Sequence, residues 1–190
     1  MQFINQQLNF KKMKKLVLSA VIALVAFTAN AQDGTFKIGI NVGVPSGDVS
    51  EAYSLNGGLD LAYLFDVSDK FQVGAATGFN NFFGKTIETT TLGVNPVNFA
   101  LVPVTFSQEI DDAQFIPVAA AARYKVVDEL YLGADVGYAL GLGDVDGGFY
   151  YRPRLGYDFT EKIGANISYS AISVTGGTVS TFGVGFEFSL

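Results

Sequence analysis

The chain has 190 residues, 49% of them hydrophobic and only 16% charged, with 22 Gly, 17 Phe and 9 Tyr but no Cys, His or Trp. Without Cys or His there is no disulfide framework, no thiolate or imidazole zinc site, no Cys nucleophile and no Ser-His-Asp triad. Carboxylates are the metal ligands left, and 12 Lys+Arg against 18 Asp+Glu, net −6, argue against a nucleic-acid partner.

The first element is an address. Met13-Lys14-Lys15 precedes an apolar run from Leu16 to Phe27 and then Thr28-Ala29-Asn30-Ala31. This is a charged n-region, a short apolar h-region and an Ala-x-Ala site, so residues 1–31 are expected to form a signal peptide cleaved after Ala31. The apolar run is too short to span a bilayer as a helix, which takes about 20 residues. Residues 1–12 add nothing that a signal needs, and Met1 and Met13 are alternative starts. Losing residues 1–31 removes four lysines and no acid, so −6 becomes −10 over residues 32–190. All the glycines remain in this second unit, and no stretch of it is apolar enough for a transmembrane helix.

From residue 35 onward the pattern has a period of two, the mark of strands rather than helices. Phe36, Ile38, Ile40 and Val42 alternate with Lys37, Gly39, Asn41 and Gly43. Three hairpins then follow the same plan: a Tyr, a polar turn, and a Gly-Ala pair. The gaps Tyr63 to Gly74, Tyr124 to Gly133 and Tyr157 to Gly164 are 11, 9 and 7 residues. They differ by two, so turn length changes while facing is kept. The last strand carries Phe182, Val184, Phe186, Phe188 and Leu190 on one face.

Eight strands are predicted, at about 35–44, 55–65, 71–84, 114–126, 130–141, 149–159, 163–173 and 181–190. The connections 45–54, 85–113, 142–148 and 174–180 are expected to be mostly the longer ones. Short turns alternating with longer loops, and strands of about 9–11 residues, predict an all-β, eight-stranded antiparallel up-and-down transmembrane β-barrel. Both termini lie at the short-turn end.

One face of every strand is free of charge and crowded with aliphatic and aromatic residues. The other is rich in Gly and carries Lys37, Asp60, Arg123, Asp135, Arg152, Arg154, Asp158 and Glu187. A lumen of eight strands holds only side chains, so the small polar face fits inside and the bulky face fits lipid. The rival is a soluble barrel with an apolar lumen, as in lipocalins, but this polar face is too poor in charge for a wet exterior. Phe36, Phe65, Phe71, Tyr124, Phe159 and Phe188 fall near the turn ends and form a candidate interface girdle.

The chain resembles the small eight-stranded outer-membrane β-barrels of Gram-negative bacteria, the OmpA/OmpX-like or porin-family barrels. The likeness spans the mature chain as a pattern and is most specific at its last strand. There Thr181, Gly183, Phe186 and Phe188 fill the order polar, any, Gly, two any, aromatic, any, aromatic. The stretch Ile116-Pro117-Val118 to Arg123-Tyr124 is also common in such barrels. The resemblance implies a monomeric outer-membrane protein whose last strand is read by the barrel-assembly machinery. It departs from the pattern at the end, where Ser189-Leu190 replaces the usual final aromatic.

Three features bear on function. The eight inward charges, four of each sign, are expected to form a network that plugs the lumen; the alternative is a selectivity ring in a narrow porin-like channel for small solutes. The 85–113 segment contains β-capable stretches, Ile87 to Leu92 and Phe99 to Phe106. It can extend the wall as a hairpin and offer an edge to an extracellular ligand, or serve as a variable loop. The outer loops are acidic: Asp48, Glu51, Glu88, Glu109, Asp111, Asp112, Asp144 and Asp146 oppose Lys85. Asp144 to Gly148 lacks the spacing of a calcium loop and is assigned to turn chemistry. The membrane-barrel enzymes considered use an active-site His, which is absent, so no catalytic residue, cofactor or metal is expected. The predicted role is a non-catalytic surface or structural protein of the outer membrane, its loops contacting lipopolysaccharide or extracellular partners.

Overall fold

The computed structural model describes residues 34–94 and 100–190. The predicted signal segment, residues 1–31, lies outside the described residues. Among the described residues there are ten strands: β1 Gly34–Ser46, β2 Tyr53–Ser68, β3 Phe71–Gly84, β4 Thr86–Val94, β5 Leu101–Glu109, β6 Ala113–Lys125, β7 Leu130–Gly141, β8 Gly148–Asp158, β9 Ile163–Val174 and β10 Gly177–Ser189. A single 3-10 turn, Gly47–Ser50, links β1 to β2.

Eight of the strands close into one barrel in the order β1-β10-β9-β8-β7-β6-β3-β2, and β4 and β5 form a separate two-stranded sheet. Every ladder is antiparallel, and β1 closes on β10 from Lys37↔Ser189 to Ser46↔Ser180. Closure leaves no barrel edge unpaired, as a lipid environment demands of any spanning sheet.

The alternation sorts the faces. Ile38, Ile40, Val42, Leu59, Val136, Ile167, Val184 and Phe186 are exposed on the outer wall, whereas Asp60, Arg123, Asp135, Arg152, Arg154 and Glu187 are buried within. Aromatic residues gather at both ends of this wall. Tyr63–Phe65 and Tyr157–Phe159 pair near the short turns, at 4.7 and 5.5 Å between ring centroids. Phe149, Tyr151, Tyr169 and Phe182 form a chain of contacts near the longer loops. Along β8, the ten steps from Phe149 to Phe159 span roughly 25 Å of height at ~3.3 Å per residue and a ~40° tilt. That matches the apolar band of an outer-membrane barrel. An apolar belt around a charged interior is the inverse of a soluble barrel, and the fold is an eight-stranded antiparallel up-and-down transmembrane β-barrel.

One connection differs from expectation. The 174–180 connection is not a long loop: β10 begins at Gly177, and Thr178, Val179 and Ser180 pair with Ser173, Ile172 and Ala171. The reversal needs only Thr175 and Gly176, because Gly176 adopts φ +95°, open to glycine at little cost. The 85–113 segment contains the β4–β5 hairpin that its β-capable stretches allowed, paired from Thr86↔Glu109 to Val94↔Leu101.

Candidate functional site

Each of the eight inward charges predicted from the alternation faces the lumen, and the fold brings all eight into one connected set. Asp135 on β7 lies at its centre with no exposed surface. Its Oδ1 accepts from Arg123 Nη1 at 2.7 Å, and its Oδ2 accepts from Arg152 Nε at 3.1 Å and Arg154 Nη2 at 2.6 Å. These three donors come from the two strands beside β7. Arg152 pairs with Asp135 itself, whereas Arg123 and Arg154 flank Gly133 two residues along β7 and reach back to the carboxylate.

The set then reaches across the barrel. Arg152 Nη1 donates to both oxygens of Asp60 on β2, at 2.9 and 3.0 Å. Asn41 Nδ2 donates to Asp60 Oδ2 at 3.0 Å. Arg154 Nη1 donates to Glu187 Oε1 on β10, which also accepts from Asn166 Nδ2 at 3.0 Å. Tyr131 hydroxyl donates to Glu187 Oε2 at 2.8 Å. Lys37 is the looser member: its Nζ lies 3.7 Å from Asp158, 3.9 Å from Glu187 and 5.2 Å from the Tyr131 ring centroid. Six barrel strands supply the charges, and Asn166 adds a seventh strand.

Burial makes this pairing obligatory. An ion removed from water costs several kcal/mol unless a partner and hydrogen bonds compensate it. With four charges of each sign, the set is neutral as a whole. Tyr131 is seated by Gly156 opposite it on β8: a Cβ there would come within 2.0 Å of the tyrosine ring.

The inner face is more than glycine and charge: Phe82, Phe115, Tyr150, Ile172 and Val179 pack together inside the loop end of the barrel, on one side of the charges. Phe82 meets Phe115 edge-on at 5.8 Å. Leu64, Ala76 and Ala121 form a smaller group. The signal was present: Tyr150 is in phase with Arg152 and Arg154, Tyr131 with Gly133, and Phe82 with Gly78. Sorting by residue type hid it, because the large inward residues are offset in height and fill space left by glycines. Below the charges, the turn end opens into a polar vestibule of about 360 Å³ lined by Lys37, Gln72, Lys125, Asp158 and Glu161.

The last strand places Thr181 and Gly183 on the inner face and Phe186 and Phe188 on the outer face, about half exposed. At the opposite end, Asp112 anchors the point where the hairpin leaves the wall. Its carboxylate accepts from Asn81 Nδ2 and from Gly84 N–H, both at 2.9 Å. These two hydrogen bonds favour the charged form and hold the Asp112 carboxyl below the usual range. Lys85 Nζ donates to Ser50 O at 2.7 Å, and its amide to Ala52 O at 2.9 Å. Among the described residues, no group of three or more Asp or Glu is placed to hold a metal ion.

No family model and no curated protein matches this chain. Among solved structures, it is similar to one from the de novo design of transmembrane β-barrels, with 12% identity, a TM-score of 0.48, and coverage of 84% of this chain and 99% of that one. It is also similar to Ail, the attachment invasion locus protein of Yersinia pestis, with 14% identity, a TM-score of 0.48, and coverage of 83% and 97%. The complex of Ail with the heparin analogue sucrose octasulfate has 15% identity and the same TM-score. At that distance no residue role carries across.

Proposed function

We propose that this chain is exported through the cleaved segment 1–31 and inserts in a Gram-negative outer membrane as a non-catalytic, non-conducting barrel. Its role is at the surface: the barrel is a rigid anchor, and the loops and the β4–β5 hairpin meet lipopolysaccharide or extracellular partners. The observation that carries this reading is the lumen. A neutral, mutually paired set of eight charges crosses the lumen below an apolar layer at the loop end, while the hairpin pairs outside the barrel ladder and, among the described residues, has no partner strand on either outer edge. Free edges and the exposed Leu92, Leu101 and Phe106 suit contact with another molecule. A narrow solute channel would need a continuous wet path, which the apolar layer opposes.

Thr181, Gly183, Phe186 and Phe188 act in this reading as the tag for the barrel-assembly machinery, and the finished barrel is a monomer. The eight lumen charges act as the plug. The experiment has two steps. Refolded protein should run faster on an unheated gel than after boiling, and should give no discrete current steps in a planar bilayer. A heat-insensitive, salt-extractable protein overturns the membrane assignment; stable, ion-selective steps overturn the plug.

A further inference from the structure

The closing seam poses a problem of register. On the lipid face, β1 presents Ile38, Ile40, Val42 and Val44, and β10 presents Phe182, Val184, Phe186 and Phe188. Facing them inside are Gly39, Asn41 and Gly43 against Gly183, Gly185 and Glu187. A slip of two residues keeps every apolar side chain on lipid and nearly every small residue inside. It loses only one or two ladder pairs, so alternation specifies the seam weakly, and the opposing contacts outside the charges are local ones: Thr181 over Gly43 and the Ser46–Ser180 hydrogen bonds.

The lumen charges supply what the seam lacks. Gly39 pairs with Asp60 on one side and with Glu187 on the other, so the two carboxylates stand level across the seam strand. Gly39 lies between them: a Cβ there would lie 3.1 Å from Phe186 O and 3.4 Å from both Asp60 Cβ and Glu187 Cγ. Both are held from β8, which faces β2 across the barrel. Arg152 takes Asp60, Arg154 takes Glu187, and Asp135 bridges the two arginines.

We propose that Arg152, Asp135 and Arg154 form a register clamp, which selects the β1–β10 pairing, and so the stagger of the barrel, by accepting Asp60 and Glu187 only when these are level. The arginines are two residues apart on one strand, so their spacing is fixed. A two-residue slip displaces one carboxylate against the other by roughly 7 Å. One arm of the clamp is then empty, and a buried charge is left unpaired. The clamp rests on the membrane-barrel reading, and its test separates the two.

Cysteine pairs across the seam report the register. Val42→Cys with Val184→Cys reads the native pairing; Val42→Cys with Phe182→Cys or with Phe186→Cys reads the slipped ones. Cross-linking is scored only in protein that shows the heat-dependent gel shift. With the charges intact, the native reporter dominates. In Asp60→Asn/Glu187→Gln, cross-linking of a slipped reporter should rise at least ~5-fold. Arg152→Lys keeps the charge but loses the fork to Asp60. It serves if the neutral pair yields no shifted band, and should raise slipped cross-linking in the same direction. Folded variants that close only in the native register overturn the clamp and reduce the charges to stabilisers. Absence of the gel shift even with all charges intact overturns the barrel reading instead.

Discussion

Asp135 holds three guanidinium groups with a single buried carboxylate, so its loss is felt beyond one pair. Asp135→Asn leaves Arg123, Arg152 and Arg154 facing each other with Asp60 and Glu187 as the remaining anions. We expect a loss of about 3–5 kcal/mol in urea unfolding from lipid bilayers, the usual cost of breaking a buried pair. Gly156→Val acts through shape. Its branched side chain displaces the Tyr131 ring and with it the hydroxyl bond to Glu187, for an expected loss of about 1–3 kcal/mol in the same titration. Asp112 gives a pH signature outside the membrane. Its folded-state carboxyl is held below the usual range, so its contribution is present above the ordinary aspartate value and is lost as pH falls through the folded one. The Gly84 amide resonance should titrate with a midpoint below that of free aspartate, and Asp112→Asn should abolish the step. The parity of each lumen charge was legible in the sequence, since alternation is local; which arginine meets which carboxylate was not.

At the scale of elements, the barrel strands and the β4–β5 hairpin obey different rules. Barrel strands are held on both sides by ladders, and the positions where a ladder pauses have local causes. Pro153, between Arg152 and Arg154, has no amide hydrogen, and the β8–β9 pairing skips from Tyr151↔Ala171 to Arg154↔Ser168. The hairpin pairs only with itself, and a two-stranded ribbon alone is marginal in water. Replacing residues 86–109 by a short Gly-containing turn should therefore leave the gel shift and the urea midpoint of the barrel unchanged within experimental error. The same deletion should remove binding to any partner that the hairpin engages. The β-capable stretches of 85–113 were readable as such. The shortness of the β9–β10 turn was not, because Val179 is out of phase with the outward Phe182, Val184 and Phe186, and Thr178 to Ser180 become strand through pairing with residues 171–173.

At the scale of the molecule, the lumen is layered. Apolar groups close the loop end, charges fill the middle, and a polar vestibule lies at the turn end. This arrangement predicts silence in bilayer recordings at moderate voltage, and it predicts that combining Phe82→Ala with Phe115→Ala thins one layer without creating a selective pore. The charge network then still blocks the lumen, and discrete steps from the double variant would place the seal in the aromatic layer alone. The strand period, the number of barrel strands, the lipid-facing side and the inward charges are written in the order of the residues. Each of these follows from side chains alternating along a single strand, a property written within a few residues. The pairing of those charges, the seat of Tyr131 over Gly156, the apolar layer at the loop end and the stagger of the closing seam arise on folding. These depend on contacts between distant strands, as at Ser46 and Ser180, 134 residues apart. Such contacts exist only once the sheet has curled and its first strand has met its last.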